Sequence, residues 1–559
     1  MRNRSSKRAG RLAGLSLALL SASALMLSGC SGNGAQGQQE QAAAPKTEAG
    51  NAVAAKETDG YTFTDPIAPM GKSSGVWYEL FVRSFNDSNG DGIGDLAGVT
   101  NKLDYLQQLG IKGIWLMPIN PSPSYHGYDV TDHYAVNPDY GTLDDVKRLL
   151  DEAHKRGIKV IMDLVVNHTS SKHPWFLDSA KGKDSKYRDW YTWAEDKGIS
   201  TNTVGALGPT SFHPAGNSHY LGVFSESMPD LNFDNPEVRQ ELVKVGQFWL
   251  KLGMDGLRLD AAKHIYEDFQ SSVDDPQTPM KNKAWWQEFR QGMDSVNKDA
   301  YLIGEVWDAM SVVGPFLDHA LNSGFDFDLS KLMLDSAKNE QANAVGSTLN
   351  RMYSYFSKQS GGAFVDAPFL SNHDGNRVMS EMGGDPNHAR MAAALLLTMP
   401  GNPFLYYGEE IGMEGAKPDE RLREPMIWAA DHKSDGQATW EAASSNEKTV
   451  SVAEQLKDPD SMFNFYKKLI SWRYEEPALG DGGIASFEIE KAGVLAYARI
   501  SGNTTLLVVH NLTGSKQAID LNANGKVPFT KVRFQSVADG IALQEGQLEL
   551  PPYSTVILQ

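Results

Sequence analysis

The sequence predicts an α/β fold: a closed (β/α)8 barrel with an insert after its third strand and a C-terminal antiparallel β-sandwich. Three observations predict it. From Gly75 onward, short apolar runs alternate with amphipathic helical stretches, the pattern of parallel strands joined by helical crossovers. The runs number eight, the count that closes a barrel. Four of them end in polar, chemically capable side chains, and active sites of parallel barrels are built at the carboxyl ends of the strands.

The strands are expected at 76–81, 113–117, 160–166, 256–259, 301–304, 325–327, 363–369 and 403–406. Most are nearly continuous in apolar residues, as strands buried on both faces must be. The sixth is the least regular, because Phe-Asp-Phe-Asp also reads as a loop. Helices are expected near 97–109, 143–156, 236–252 and 281–296. Strand-to-helix connections in such units take roughly two to six residues. After the third strand the connection runs instead from His168 to Pro236 and holds Trp175, Trp190, Tyr191 and Trp193. That length suits a small subdomain. Beyond about Pro477, alternating runs at 484–489, 493–500, 504–512, 517–521 and 531–535 predict the sandwich. No polar constellation stands out in it, so a structural cap is expected rather than a sugar-binding module. The expected domains are 73–477 for the barrel, with its insert at 168–235, and 478–559 for the sandwich.

The beginning of the chain reads as a targeting segment. Arg2, Arg4, Lys7, Arg8 and Arg11 precede an apolar run at 12–27, short of the roughly 20 residues of a spanning helix. The run stops at Leu27-Ser28-Gly29-Cys30, which resembles a bacterial lipobox. Cys30 is the only cysteine, so the chain forms no internal disulfide. Residues 1–29 are expected to be a lipoprotein signal peptide and Cys30 the lipidated residue. Residues 30–72, poor in apolar side chains, are expected to be a flexible tether holding the enzyme outside the membrane. The net charge of −18 argues against nucleic acid as a partner, since phosphates would be repelled.

The four polar strand ends carry the chemistry. Asp163, Asn167 and His168 close the third strand; Arg258, Asp260, Lys263 and His264 close the fourth. Glu305 and Trp307 follow the fifth, and His373 and Asp374 the seventh. Arg258 and Asp260 are two residues apart, so both side chains point to one face of their strand. A guanidinium there favours an ionised Asp260. Glu305 is flanked by Gly304 and Trp307, an apolar setting that raises a carboxyl pKa. One carboxylate held ionised and one carboxylic acid held neutral form the pair that retaining cleavage of a glycosidic bond requires.

This quartet resembles the α-amylase superfamily of glycoside hydrolases. Gly127-Tyr128-Asp129 and Met228-Pro229-Asp230-Leu231-Asn232 also fit, and the resemblance runs over about 76–427 and into the tail. It implies the barrel with the insert as a B domain, whose aromatics either stack on sugars or, as expected here, build a small core of their own. It implies Asp260 as nucleophile, Glu305 as general acid and base, and Asp374 as the third carboxylate, holding sugar hydroxyls. It implies substrate contacts from His126, Tyr128, His168, Arg258 and His373, and from Lys263 and His264 beyond the scissile bond. Asp163 is expected to support Arg258. The resemblance also implies calcium held by Asn167, Asp230 and the His264 carbonyl. A second metal loop, for calcium or magnesium, is expected at Asp87, Asn89, Asp91, Ile93 and Asp95, where acids recur every second residue as in an EF-hand. Gly98 stands where an EF-hand needs glutamate, so a true EF-hand is not expected. A solvated turn is the other reading of this loop.

The function expected is endo-hydrolysis of α-1,4 bonds in starch, glycogen and maltooligosaccharides, by a monomer without organic cofactor. The alternatives are an exo-acting α-glucosidase or oligo-1,6-glucosidase, a neopullulanase-like or transglycosylating enzyme, and an inactive glucan-binding barrel.

Overall fold

A computed structural model describes residues 57–58, 61–63, 65, 67–434, 436–523 and 525–559, all within one compact unit spanning Ala49–Gln559. The expected signal peptide, Cys30 and most of the expected tether lie outside the described residues. No described helix is long and apolar enough to cross a membrane.

The barrel strands are Trp77–Leu80, Gly113–Leu116, Lys159–Leu164, Gly256–Leu259, Tyr301–Gly304, Ser323–Gly324 and Phe404–Tyr406, all parallel, with the last pairing back onto the first. The remaining place is taken by the segment around 367–369. It closes the ring through two isolated parallel bridges, Ala367 to Phe325 and Phe369 to Phe404. The sixth strand falls two residues before its expected position. The reason is local: Asp326 accepts a hydrogen bond from Leu329 N–H and caps a helix, Phe327–Asn339, so Phe327 leaves the sheet.

Period-two alternation puts one set of side chains inside the ring. Trp77, Trp115, Ile161, Ile303, Phe325, Phe369 and Phe404 form a closed aromatic and aliphatic plug. One step toward the carboxyl ends, the same inner faces carry Glu79, Asp163 and Arg258. Register sets Asp163 directly beside Arg258 and Arg258 beside Ile303. The plug is thus a dry floor, and the charged layer rests on it.

Helix Pro236–Leu252 forms at its expected bounds, with Asn235 as N-cap, proline in its first turn and Gly253 after its end at φ 120°. It buries Val238, Leu242, Val245 and Trp249. The helix expected at 97–109 is broken at Lys102 into Leu96–Asn101 and Leu103–Leu109. Between the third and fourth barrel strands the chain forms short helices and the hairpin Phe212–Ala215 with Ser218–Leu221. Phe176 stacks on Trp193 at 5.9 Å and meets Tyr191 and Tyr220 edge-on, so most of the aromatics here pack on each other.

The C-terminal region holds a five-stranded antiparallel sheet in the order Gly483–Ser486, Val494–Ser501, Thr504–Asn511, Ser554–Leu558, Val532–Gln535. A three-stranded sheet of Gln517–Asp520, Gln547–Leu550 and Ala542–Gln544 accompanies it. Ile519, Leu548 and Leu550 of the smaller sheet share one core with Ala496, Leu507 and Val556 of the larger. Three of these strands, those after 540, are additional to the five expected. Arg499 ties this region to the barrel, donating to the carbonyls of Leu479 at 2.8 Å and Gly482 at 2.7 Å, and Tyr497 meets Thr398 at 2.7 Å.

Candidate active site

Arg258 is the centre of the site. Its side chain is fully buried, which is tolerable only because it is surrounded by acids. Nη1 donates to Asp163 at 2.8 Å and to Asp260 at 2.6 Å, while Nη2 pairs with Glu305 at 2.9 Å. Trp115 sits under the guanidinium at 5.0 Å and donates its indole N–H to Asp163 at 3.3 Å. Asp163 thus supports the arginine and is itself held. Adjacent nitrogens of one guanidinium hold Asp260 and Glu305 as neighbours.

Ala261 follows Asp260 with φ 46°, a conformation alanine rarely adopts. The turn aims Ala261 N–H at Glu305 Oε2, 3.1 Å away, and Ala262 N–H donates to the Glu305 carbonyl at 3.0 Å. The surroundings of Glu305 are therefore more polar than Gly304 and Trp307 suggest in sequence. Burial pushes Asp260 up to about 8; Arg258 pulls against it, and Glu305 and Asp163 add to it. One cation facing three carboxylates cannot neutralise them all.

A second charged group stands across the mouth. His373 Nδ1 bonds Glu79 at 2.6 Å, and its Nε2 lies 3.1 Å from Asp374 and 2.6 Å from the Tyr128 hydroxyl. Tyr128 also donates to Asp163 at 3.0 Å and so links the two groups. Its ring stacks on His373 at 5.4 Å and on His126 at 6.1 Å. Burial alone would discharge His373, but Asp374 and Glu79 push it up to about 10, so it is an imidazolium at neutral pH. Burial alone would likewise raise Asp374. His373 and Arg423 outweigh it and hold Asp374 far below the usual carboxylate range. Arg423 donates to Asp374 at 3.0 Å and to the His373 carbonyl at 3.1 Å.

The structure thus brings Asp260, Glu305, Asp374, Arg258, His373 and Tyr128 into one connected network. Lys263 lies at its edge, bonded to Asp308 at 2.9 Å. His126 is half-buried and accepts from Tyr128 N–H at 3.1 Å. Two participants escape the sequence reading, Glu79 and Arg423. Glu79 had a signal: a lone carboxylate inside the apolar run Val76-Trp77-Tyr78-Glu79-Leu80-Phe81. Arg423 had none, because it comes from the long segment after the eighth strand.

In the Asp87 loop the side chains curl onto their own backbone. Asp87 accepts from Gly90 N–H at 2.7 Å and Gly92 N–H at 2.8 Å, Asn89 from Asp91 N–H, and Asp91 from Ile93 N–H. Asp95 accepts from Ser88 N–H and Gly98 N–H. All the side-chain donors, with the Ile93 carbonyl, are hard oxygens of the kind calcium takes. At the junction, burial keeps His168 neutral, with its pKa lowered to about 4. Its Nε2 lies 3.1 Å from the Tyr128 carbonyl and its Nδ1 3.2 Å from Asn167 Oδ1. A neutral imidazole has one N–H and cannot donate to both. Turning the Asn167 amide over satisfies His168 and sets Asn167 Oδ1 against the His264 carbonyl, where its amide nitrogen now donates at 2.8 Å. Two facing oxygens need a cation between them. Asp230 beside them has a buried Oδ1 without a donor, and burial pushes its carboxyl up to about 7. This set fits a hard cation. Among the described residues no three His, Cys or acidic side chains gather into a metal site by themselves, so amide and carbonyl oxygens would have to complete it.

The chain matches the family described as alpha amylase, catalytic domain, over residues 79–482, and the alpha-amylase SusG C-terminal domain over 494–557. It is 42% identical to alpha-amylase 3 of Dictyoglomus thermophilum over 486 residues, covering 87% of this chain and 93% of that protein. It is 33% identical to an oligo-1,6-glucosidase of Parageobacillus thermoglucosidasius over 505 residues, covering 78% and 90% respectively. The crystal structure of an alpha-amylase from H. orenii superposes with a TM-score of 0.80 at 41% identity, over 87% of this chain and 99% of that one.

Proposed function

The chain belongs to the α-amylase family of glycoside hydrolases, and from that premise we propose that it cleaves internal α-1,4-glucosidic bonds of starch, glycogen and maltooligosaccharides with retention of configuration. The observation that carries this reading is Arg258 holding Asp260 at 2.6 Å and Glu305 at 2.9 Å on one guanidinium. Asp260 attacks the anomeric carbon while Glu305 gives its proton to the departing oxygen, leaving a glycosyl ester on Asp260. Glu305, now a carboxylate, takes a proton from water as that water attacks the same carbon and releases Asp260. Asp374, fixed as an anion by His373 and Arg423, holds the sugar hydroxyls and favours the positive charge that develops on the ring. His126, His168 and Tyr128 complete the sugar's surroundings, and Lys263 and His264 hold the chain beyond the scissile bond.

Calcium is proposed at Asp87, Asn89, Asp91, Ile93 and Asp95, with magnesium as the alternative ion, and at Asn167, Asp230 and the His264 carbonyl. Bound there, it would neutralise buried acids and cross-link loops; it takes no part in the reaction. We further propose export as a lipoprotein, anchored through Cys30 and acting as a monomer.

The exo-acting alternative has its own support, since the glucosidase named above is also a relative. Digestion of maltoheptaose separates the two: the endo reading predicts mixed short oligomers released as α-anomers, and glucose alone would overturn it.

A further inference from the structure

The chain just before the first barrel strand is built into the C-terminal sandwich. Phe63 is 3% exposed and shares one core with Ala485, Phe487, Ile500 and Phe529. Ile67 packs beside that core against Gly483, where an added Cβ would lie 2.2 Å from Ile67 Cγ2. Between them, Asp65 accepts from Ser486 N–H at 2.8 Å and from the Ser486 hydroxyl at 2.6 Å. Ser486 belongs to Gly483–Ser486, an edge strand of the five-stranded sheet, and the carboxylate caps that edge. From there the chain crosses the amino end of the barrel. Gly71 N–H donates to the Phe364 carbonyl at 2.8 Å. Ser73 donates its N–H to Asp481 at 2.8 Å and its hydroxyl to the Gly401 carbonyl at 2.7 Å. Ser74 N–H donates to Asn402 at 2.7 Å, just before the strand Phe404–Tyr406 begins. Phe364, Gly401 and Asn402 all precede their strands, so this path lies at the end opposite Asp260, Glu305 and Asp374.

A segment leading into a domain stays loose unless something ties it down, and a buried phenylalanine beside a capped sheet edge is such a tie. We propose that the sandwich face around Gly483, Ser486 and Phe487 is the docking surface for the N-terminal segment of this same chain. Phe63, Asp65 and residues 67–75 then form a strap from the sandwich to the barrel. The segment fits this face by its chemistry. An aromatic ring fills the core, a carboxylate takes the edge N–H and hydroxyl, and a branched side chain fills the gap over a glycine. A pull on the leading segment is thus borne by the sandwich and the closed end of the barrel, not by the mouth. With the anchor proposed at Cys30, the leash ends at Phe63 and leaves the mouth clear for a polymer. That consequence rests on the proposed anchor; the strap does not.

Trypsin acting on the native full-length protein tests the strap at Lys72, whose exposed side chain stands between Gly71 and Ser73. Cleavage needs a locally opened backbone, so its rate follows how often the strap lifts. Wild-type protein should be cut after Lys72 about a hundredfold more slowly than a peptide of residues 66–79. Phe63→Ala should raise the wild-type rate about tenfold or more, and Asp65→Ala about threefold. Cutting within the helices Leu143–Lys155 and Pro236–Leu252 should stay within about twofold, which separates a lifted strap from a loosened protein. Asp65→Ala decides alone if Phe63→Ala does not fold. Wild-type cutting at the peptide's rate, variants within about twofold of wild type, or an equal rise inside the helices would overturn the proposal. So would a dimer in light scattering that Asp65→Ala dissolves, since the segment would then lie on a second copy's sandwich.

Discussion

Two charged groups face each other across the barrel mouth, and they are balanced differently. Around Arg258 stand three carboxylates, Asp163, Asp260 and Glu305, with no second cation bonded to them among the described residues. Around Asp374 stand the His373 imidazolium and Arg423, with Glu79 buried behind the histidine. The first group is short of positive charge, and Asp260 in it is raised to about 8. The second is saturated, and Asp374 in it is held far below the usual carboxylate range. In the proposed mechanism, the groups that form bonds and pass protons sit in the first, labile half, and the group that stays an anion sits in the second, fixed half. The difference arises from strand register, which gives Arg258 three acidic neighbours, and from Arg423, brought in from outside the barrel strands.

The sharpest way to break this contrast is Asp260→Asn. It keeps shape and removes the proposed nucleophile, so kcat on maltoheptaose should fall by about ten-thousandfold or more while the circular dichroism spectrum is unchanged. Near-normal turnover would remove the labile half from the account. Next in size is Arg258→Lys, which keeps the charge but loses the fork that reaches three acids at once. A loss of about a hundredfold is expected in steady-state kinetics, together with lower thermal stability from acids left without a partner.

The fixed half is probed by Glu79→Gln. Burial disfavours the charged His373, and Glu79 with Asp374 raises it to about 10. Without Glu79 the imidazolium loses its proton at lower pH, so the alkaline limb of kcat/KM should move toward neutrality, with a loss of about tenfold at pH 9. An unmoved limb would mean that His373 charge is not what the site uses. The smallest expected effect is that of chelation. Stripping divalent ions should lower Tm by about 5 °C and leave initial rates at 25 °C within about twofold, with calcium restoring Tm. An unchanged Tm would remove both proposed ion sites.

Much of the labile half was legible in the sequence. Asp163, Arg258, Asp260 and Glu305 each lie at the carboxyl end of a recognisable strand, where side-chain alternation alone places them on the inner face. The fixed half was legible only in part. His373 and Asp374 follow a segment that makes single bridges rather than a strand, and their neighbour Arg423 is 49 residues from Asp374 with no periodic pattern leading to it. The same contrast holds for the fold. Helix Pro236–Leu252 announces itself by its cap, proline and glycine, whereas the displaced sixth strand yielded to Asp326 capping a helix. In the sandwich, two of the strands after 540, Ala542–Gln544 and Gln547–Leu550, are short and half-exposed, with an alternating Gln-Leu-Glu-Leu stretch too brief to separate from a loop.

The central claim is that the labile half forms a covalent bond to the sugar through Asp260. Incubation with 5-fluoro-α-D-glucosyl fluoride, followed by proteolysis and mass spectrometry, tests it directly. The account predicts one fluoroglucosyl adduct on the peptide containing Asp260, with Glu305 unmodified. An adduct on any other carboxylate, or turnover giving the inverted anomer with no adduct, would contradict it.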